Sequence, residues 1–146
     1  MRRTTVRCEF TITKSVTSGA FFSGAKSTSD TDALKKILQK GKIKQITARM
    51  LTTESTTTMT NVVVWSFYGT TFDAAPDDLE VVYESAVVAS PSESTTDAFL
   101  RDDLGEGGAP FDRGASDHLG FGFSGTAGGT GDVAVSFSVL VENEVN

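Results

Sequence analysis

Residues 132–141, DVAVSFSVLV, place Val133, Val135, Phe137, Val139 and Val141 at every second position, with Ala134, Ser136, Ser138 and Leu140 between them. Side chains two residues apart share one face of a strand, whereas in a helix the same five would spread round the circumference. The run predicts a strand over about 132–142 with one face buried. A strand so one-sided needs a second layer to bury it against.

The opening residues repeat the pattern. In TTVRCEFTIT, residues 4–13, Val6, Cys8, Phe10 and Ile12 alternate with Arg7, Glu9 and Thr11. Within 42–53, Ile46, Ala48 and Met50 alternate with Thr47, Arg49 and Leu51. TNVVVWSFY, residues 60–68, is a continuous apolar run of strand length, as expected where both faces are covered. In 79–90, Leu79, Val81, Tyr83 and Val87 lie on one face and Val82, Ala86 and Val88 on the other. A strand over 118–124 carries Leu119, Phe121 and Phe123 between glycines. Ser and Thr supply 35 of the 146 residues, and Thr suits a pleated surface while Ser competes with helix for backbone partners.

SDTDALKKILQKGK predicts one short peripheral helix over about residues 30–40. Ser29 or Asp30 caps it, Asp32 complements its N-terminal dipole, and Gly41 follows its C-terminus. Ala33, Leu34, Ile37 and Leu38 form its apolar stripe. Two long connections stand out. Residues 14–29 read as a small, polar loop carrying Phe21 and Phe22, two rings expected to anchor it in the core. Residues 90–117 read as an acidic, glycine-bearing loop, with a short helix over 95–104 capped by Thr95 or Thr96 and docked through Ala98, Phe99 and Leu100. Short strands, one helix and long crossing loops predict an all-β fold: a single β-sandwich domain over 1–146, of jelly-roll or Greek-key type. A chain of this length buries roughly 68–70% of its unfolded surface.

Several functions are disfavoured by the residues themselves. Gly120, Gly122 and Gly125 spell G-x-G-x-x-G, but a dinucleotide loop follows a strand and opens a helix. Here the glycines alternate within a strand, and TAGGTGD leads to another strand. His118 is the single histidine. With Cys8 or Ser116 as nucleophile and Asp117 as orienting acid it makes only a bare outline of a catalytic set. Asp102, Asp103, Glu106, Asp112 and Asp117 do not have the spacing of a twelve-residue calcium loop. We therefore expect no enzyme activity, no metal and no cofactor. Cys8 is the single cysteine, so no internal disulfide forms, which fits intracellular assembly. The N-terminus lacks the apolar stretch of a signal peptide, and no run approaches the ~18 apolar residues of a membrane span.

Charge is unevenly spread along the chain. Residues 1–50 hold eleven Lys and Arg against three acids, a net of +8, and residues 51–146 hold two against sixteen, a net of −14. Arg2, Arg3, Arg7, Lys35, Lys36, Lys40, Lys42 and Lys44 form the expected contact set, for a polyanion or for an acidic patch on another subunit. With no interleaved aromatics, contact with nucleic acid would be to phosphates alone, non-specific and salt-sensitive. A chain with oppositely charged parts also suits head-to-tail rings or shells of itself.

In size, in the alternating first strand TTVRCEFTIT, in the apolar NVVVWSFY and in the ending DVAVSFSVLVENEVN, the chain resembles the small single jelly-roll structural proteins of icosahedral viruses. Penton subunits of tailless, membrane-containing phages and archaeal viruses are of this kind. The resemblance covers most of the chain as a pattern, and the acidic 101–117 segment departs from it. It implies a virion structural protein, a capsid subunit of the penton or minor-capsid kind. Such a subunit assembles in the host cytoplasm with copies of itself and other virion proteins, and it has no catalytic residues. A phage tail-tube or head–tail joining subunit is a second structural expectation, since a β-sandwich with one helix forms rings there. A carbohydrate-binding module is a third, but it needs exposed planar aromatics. The chain has one Trp and two Tyr, and Trp65 lies inside an apolar run.

Overall fold

The computed structural model describes residues 2–26, 32–51, 58–69, 80–91, 98–113 and 118–145. Among the described residues nine strands follow in chain order: β1 (Arg2–Val16), β2 (Gly19–Lys26), β3 (Lys40–Met50), β4 (Met59–Gly69), β5 (Glu80–Glu84), β6 (Leu100–Asp103), β7 (Ala109–Asp112), β8 (His118–Ala127) and β9 (Gly131–Val145). They form two sheets. Sheet one has the order β1-β9-β3-β6, with β7 also on β3, and sheet two has the order β2-β8-β4-β5. Every pairing is antiparallel, and the two sheets pack face to face as a β-sandwich.

The pairing is nested: first strand with last, β2 with β8, β3 with β6 and β7, β4 with β5. β6 and β7 act as two halves of one strand along β3. They are parted by residues 104–108 opposite Lys44, where the β3–β9 register also shifts. The Leu104 amide donates to the Lys44 carbonyl at 2.9 Å, and Lys44 Nζ donates to the Glu106 carbonyl at 2.8 Å. The extra residue of β3 and the interruption of its neighbour thus share one bulge.

Alternation decides what lies between the sheets. From β9, Val133, Val135, Phe137, Val139 and Val141 are all buried, and from β1 so are Cys8, Phe10 and Ile12. Phe10 pairs with Phe137 in register, and their rings stack 5.1 Å apart at 5°. From sheet two, Phe121 meets Phe10 at 5.8 Å and Phe123 meets Phe137 at 6.4 Å. Four phenylalanines thus interlock the layers at the centre of one contiguous core.

Four expectations need correction. The predicted helix over about 30–40 is a single 3-10 turn, Asp32–Lys36. Ser29 and Asp30 lie outside the described residues. Leu34 and Ile37 are buried as the stripe requires, but Leu38 is exposed and the chain is already extended at Lys40. Gly41 does not end a helix: it sits in β3 opposite Asn143, where a Cβ would lie 2.2 Å from the Glu142 carbonyl oxygen. Pairing with β9 and β7 outweighs helix propensity here. Asn143, itself buried on β9, fastens the turn by accepting from the Leu38 amide and donating to the Lys36 carbonyl, each at 3.0 Å.

The second correction is the loop expected over 14–29, which is largely strand. β2 sends Phe21 inward against Phe123 (5.6 Å) and Phe22 outward against Phe67 (5.5 Å). The third is the 95–104 helix: Leu100–Asp103 is strand β6, paired with Gln45–Ala48. Thr95 and Thr96 lie outside the described residues. In β5 a register shift against β4 puts Val81 on the outer face and Tyr83 on the inner one, so they do not share a face as expected.

Candidate functional site

Strands β1 and β3 flank β9 and both run antiparallel to it. The start of each therefore meets the end of β9, with Arg2 opposite Val145 and Gly41 opposite Asn143. That topology gathers Arg2, Arg3 and Arg7 of β1 with Lys40, Lys42 and Lys44 of β3 at one end of sheet one. Lys35 and Lys36 of the 3-10 turn lie on the connection into β3.

The gathering is not purely basic. β9 runs between the two strands and contributes Glu142 and Glu144 to the same outer face. Arg3 Nε lies 3.6 Å from Glu142 and Lys40 Nζ 3.8 Å from Glu144. Acids counted with the −14 remainder of the sequence are thus folded among the cations, and the division along the chain is not a division in space. Because Arg3 and Lys40 are at least half exposed, each pair contributes at most about 1 kcal/mol and weakens with salt. Beside them lies an open depression of about 460 Å³, lined by Leu38, Gln39, Lys40, Asp112, Glu144 and Val145. Arg113 fastens two of these residues, donating from Nε to the Leu38 carbonyl (3.1 Å) and from its amide to the Gln39 carbonyl (2.9 Å).

The catalytic outline does not assemble. Cys8 is fully buried on the inner face of sheet one, and that burial pushes its thiol pKa up, against a smaller lowering by Lys36. A nucleophilic cysteine needs the opposite shift. His118 opens β8 in the other sheet, its backbone paired with Gly69, and Ser116 and Asp117 lie outside the described residues. Asp102 and Asp103 are neighbours in a strand and so point to opposite faces. Asp102 accepts from the Tyr83 hydroxyl at 2.6 Å, and Asp103 accepts from the Gly105 amide at 3.2 Å. Among the described residues no group of three or more His, Cys, Asp or Glu is placed to hold a metal.

Gly120 and Gly122 face outward from sheet two, opposite Phe67 and Trp65 of β4, and Gly24 of β2 pairs with Gly122. A Cβ on Gly24 would lie 2.9 Å from Phe67 Cζ, and one on Gly122 would lie 2.4 Å from the Ser23 carbonyl oxygen. The motif's glycines therefore let β2 approach β8 and let an aromatic ring lie across the strands. Phe67 is 1% exposed on this outer face, with Phe22, Val63 and Trp65 around it. The indole of Trp65 donates to Ser124 Oγ at 2.8 Å. The sequence signals for this second apolar cluster were the unbroken run of β4 and the glycines opposite it.

Both tyrosines tie one edge of the sandwich together. Tyr83 of β5 donates across to Asp102 of β6, and the hydroxyl of Tyr68 of β4 accepts from the Asp112 amide of β7 at 2.9 Å. Burial, the hydrogen bond to Asp102 and the charge of Asp102 all raise the Tyr83 pKa far above its ordinary value. A raised folded pKa means that the native state holds its proton where the unfolded chain has lost it. Stability is then full below the unfolded values of Cys8 and Tyr83 and falls as the pH rises above about 9–10. Urea titrations at rising pH should show that fall, and it should be shallower in Tyr83→Phe, which also costs about 1–3 kcal/mol at neutral pH. An unchanged alkaline slope would remove Tyr83 from this account.

No protein family and no curated protein matches the chain.

Proposed function

We propose that this chain is a structural protein of a virion: a self-assembling capsid subunit of the penton or minor-capsid kind, folded as a jelly roll and without catalytic activity. The observation that carries this reading is the nested strand pairing. With β6 and β7 taken as one interrupted strand, eight strands pair first with last, second with seventh, third with sixth and fourth with fifth. Rolled up, they lie as 1-8-3-6 and 2-7-4-5. That order supports two interlocked Greek keys, the double-sheet arrangement used by capsid proteins, lectins and cupins.

What fills the barrel favours a wall over a vessel. Cupins use such a frame to hold a ligand inside the barrel, whereas here Phe10, Phe121, Phe123 and Phe137 occupy the space between the sheets. The partners of this reading are copies of the chain itself and other virion proteins, met in the host cytoplasm where the virion assembles. The six cations at the end of sheet one, with Lys35 and Lys36 of the 3-10 turn, would reach such a partner, or nucleic acid, through salt-sensitive contacts.

Negative-stain electron microscopy of the concentrated protein tests the kind of assembly. Pentamers or closed shells support the capsid reading. Stacked rings transfer the chain to a tail-tube or head–tail joining role. Isolated particles that bind glycans overturn the assembly reading in favour of a carbohydrate-binding module, with Trp65 and Phe22 on the outer face of sheet two as the surface to test.

A further inference from the structure

We infer that the free edge of β1 is an interface on which a second copy of this chain docks, strand against strand and antiparallel about a two-fold axis at Cys8. The inference deepens the self-assembly reading by naming its partner and surface, and it does not depend on the shell being viral.

β1 ends sheet one and pairs with β9 over fifteen consecutive positions, Arg2 to Val16, without a bulge. Among the described residues, no backbone hydrogen bond joins this strand to anything but β9. Edge strands are usually blunted by shortness, proline, bulges or inward-facing charge. β1 is long and free of proline and bulges, and its inner-row charges, Arg2 and Lys14, lie only at its two ends. An edge of this length, blunted only at its ends, is a template for another strand.

The side chains choose the occupant. The outer row of β1 reads Arg3, Thr5, Arg7, Glu9, Thr11, Thr13, Ser15, all exposed. A two-fold axis at Cys8 pairs residues whose numbers sum to sixteen. Arg7 then faces Glu9 of the second copy, Glu9 faces Arg7, and Thr5 and Thr11 face each other twice. On the inner row Val6 meets Phe10. Opposite charges and Thr–Thr pairs directly across a ladder are the favourable combinations, and like charges the unfavourable ones. Moving the axis by one residue in either direction sets Arg7 against Arg7 or Glu9 against Glu9. In the chosen register the like charges Arg2 and Lys14 meet only at the two ends of the ladder. Within one chain Glu9 has no ion-pair partner among the described residues, and Arg7 donates to Ser138 Oγ at 2.8 Å. Both charges are therefore available to a second copy.

Charge reversal tests the register without touching the core, because both side chains are exposed. Sedimentation velocity on the full chain should show that Arg7→Glu and Glu9→Arg each weaken self-association by about tenfold or more, since each turns two attractive pairs into two repulsive ones. The double variant Arg7→Glu/Glu9→Arg should restore it, and circular dichroism should be the same for all four proteins. Association unchanged by the single reversals, or lost equally in the double variant, overturns the β1 interface. A larger assembly whose mass ignores these substitutions would still support the capsid reading through another surface. A dimer that obeys them and grows no further would keep the interface and remove the shell.

Discussion

Replacing Phe137 by alanine should lower the unfolding free energy by about 3–5 kcal/mol, the cost of emptying an aromatic site in a close-packed core. Phe137 is 1% exposed, stacks on Phe10 within sheet one and touches Phe123 of sheet two. The substitution removes both the ring pair within a layer and a contact between layers. For a domain with a total stability of about 5–15 kcal/mol, that is a large part of the whole. Urea denaturation should show the midpoint falling at a similar slope, as for a loss of stability with the same surface exposed on unfolding. A loss under about 1 kcal/mol would mean that the two sheets are not held together through these rings.

Gly122→Ala is the second large effect, and it decides what the G-x-G-x-x-G is for. A methyl there lies 2.4 Å from the Ser23 carbonyl oxygen and 3.0 Å from Gly24 Cα, both backbone atoms that move only if β2 leaves β8. Overpacking of this kind costs about 1–3 kcal/mol. Gly24→Ala is the control: its Cβ meets the end of the Phe67 ring at 2.9 Å, and a ring can swing aside more readily than a strand. We expect Gly122→Ala to destabilise more than Gly24→Ala, with no change in affinity for a nucleotide. A phosphate loop gives the reverse, intact stability and altered nucleotide binding.

The strands were legible where one rule acted alone. Alternation in β1 and β9 named the buried residues correctly because each strand shows one face to the core and one to the outside. Where two demands competed, the sequence misled. KKILQKGK has a helical stripe and a helix-ending glycine, yet Gly41 is glycine because the β9 backbone passes too close for any side chain. Only the three-dimensional pairing contains that fact. Phe99-Leu100 looked helical because short apolar runs have no period of their own, and the partner that makes a strand of Leu100–Asp103 lies more than fifty residues away on β3.

The charge set was legible only in part. Its cations were identified one by one and do gather at one end of sheet one, but Glu142 and Glu144 come from the far end of the chain and sit between them. Position along a sequence cannot report that interleaving, because β9 is the strand that separates β1 from β3. The apolar outer face of sheet two was half legible: the run of β4 announced a strand covered on both sides, but its aromatic partner in β2, Phe22, sat in what read as a loop.

Whether this chain is a self-assembling wall subunit is decided by its mass in solution, measured by light scattering across protein concentration. One chain weighs 15.5 kDa. A wall subunit gives a closed multiple of that mass, growing with concentration to a fixed size and loosening at about 1 M salt, where exposed charges are screened beyond about 3 Å. A single 15.5 kDa species at every concentration and salt would contradict it.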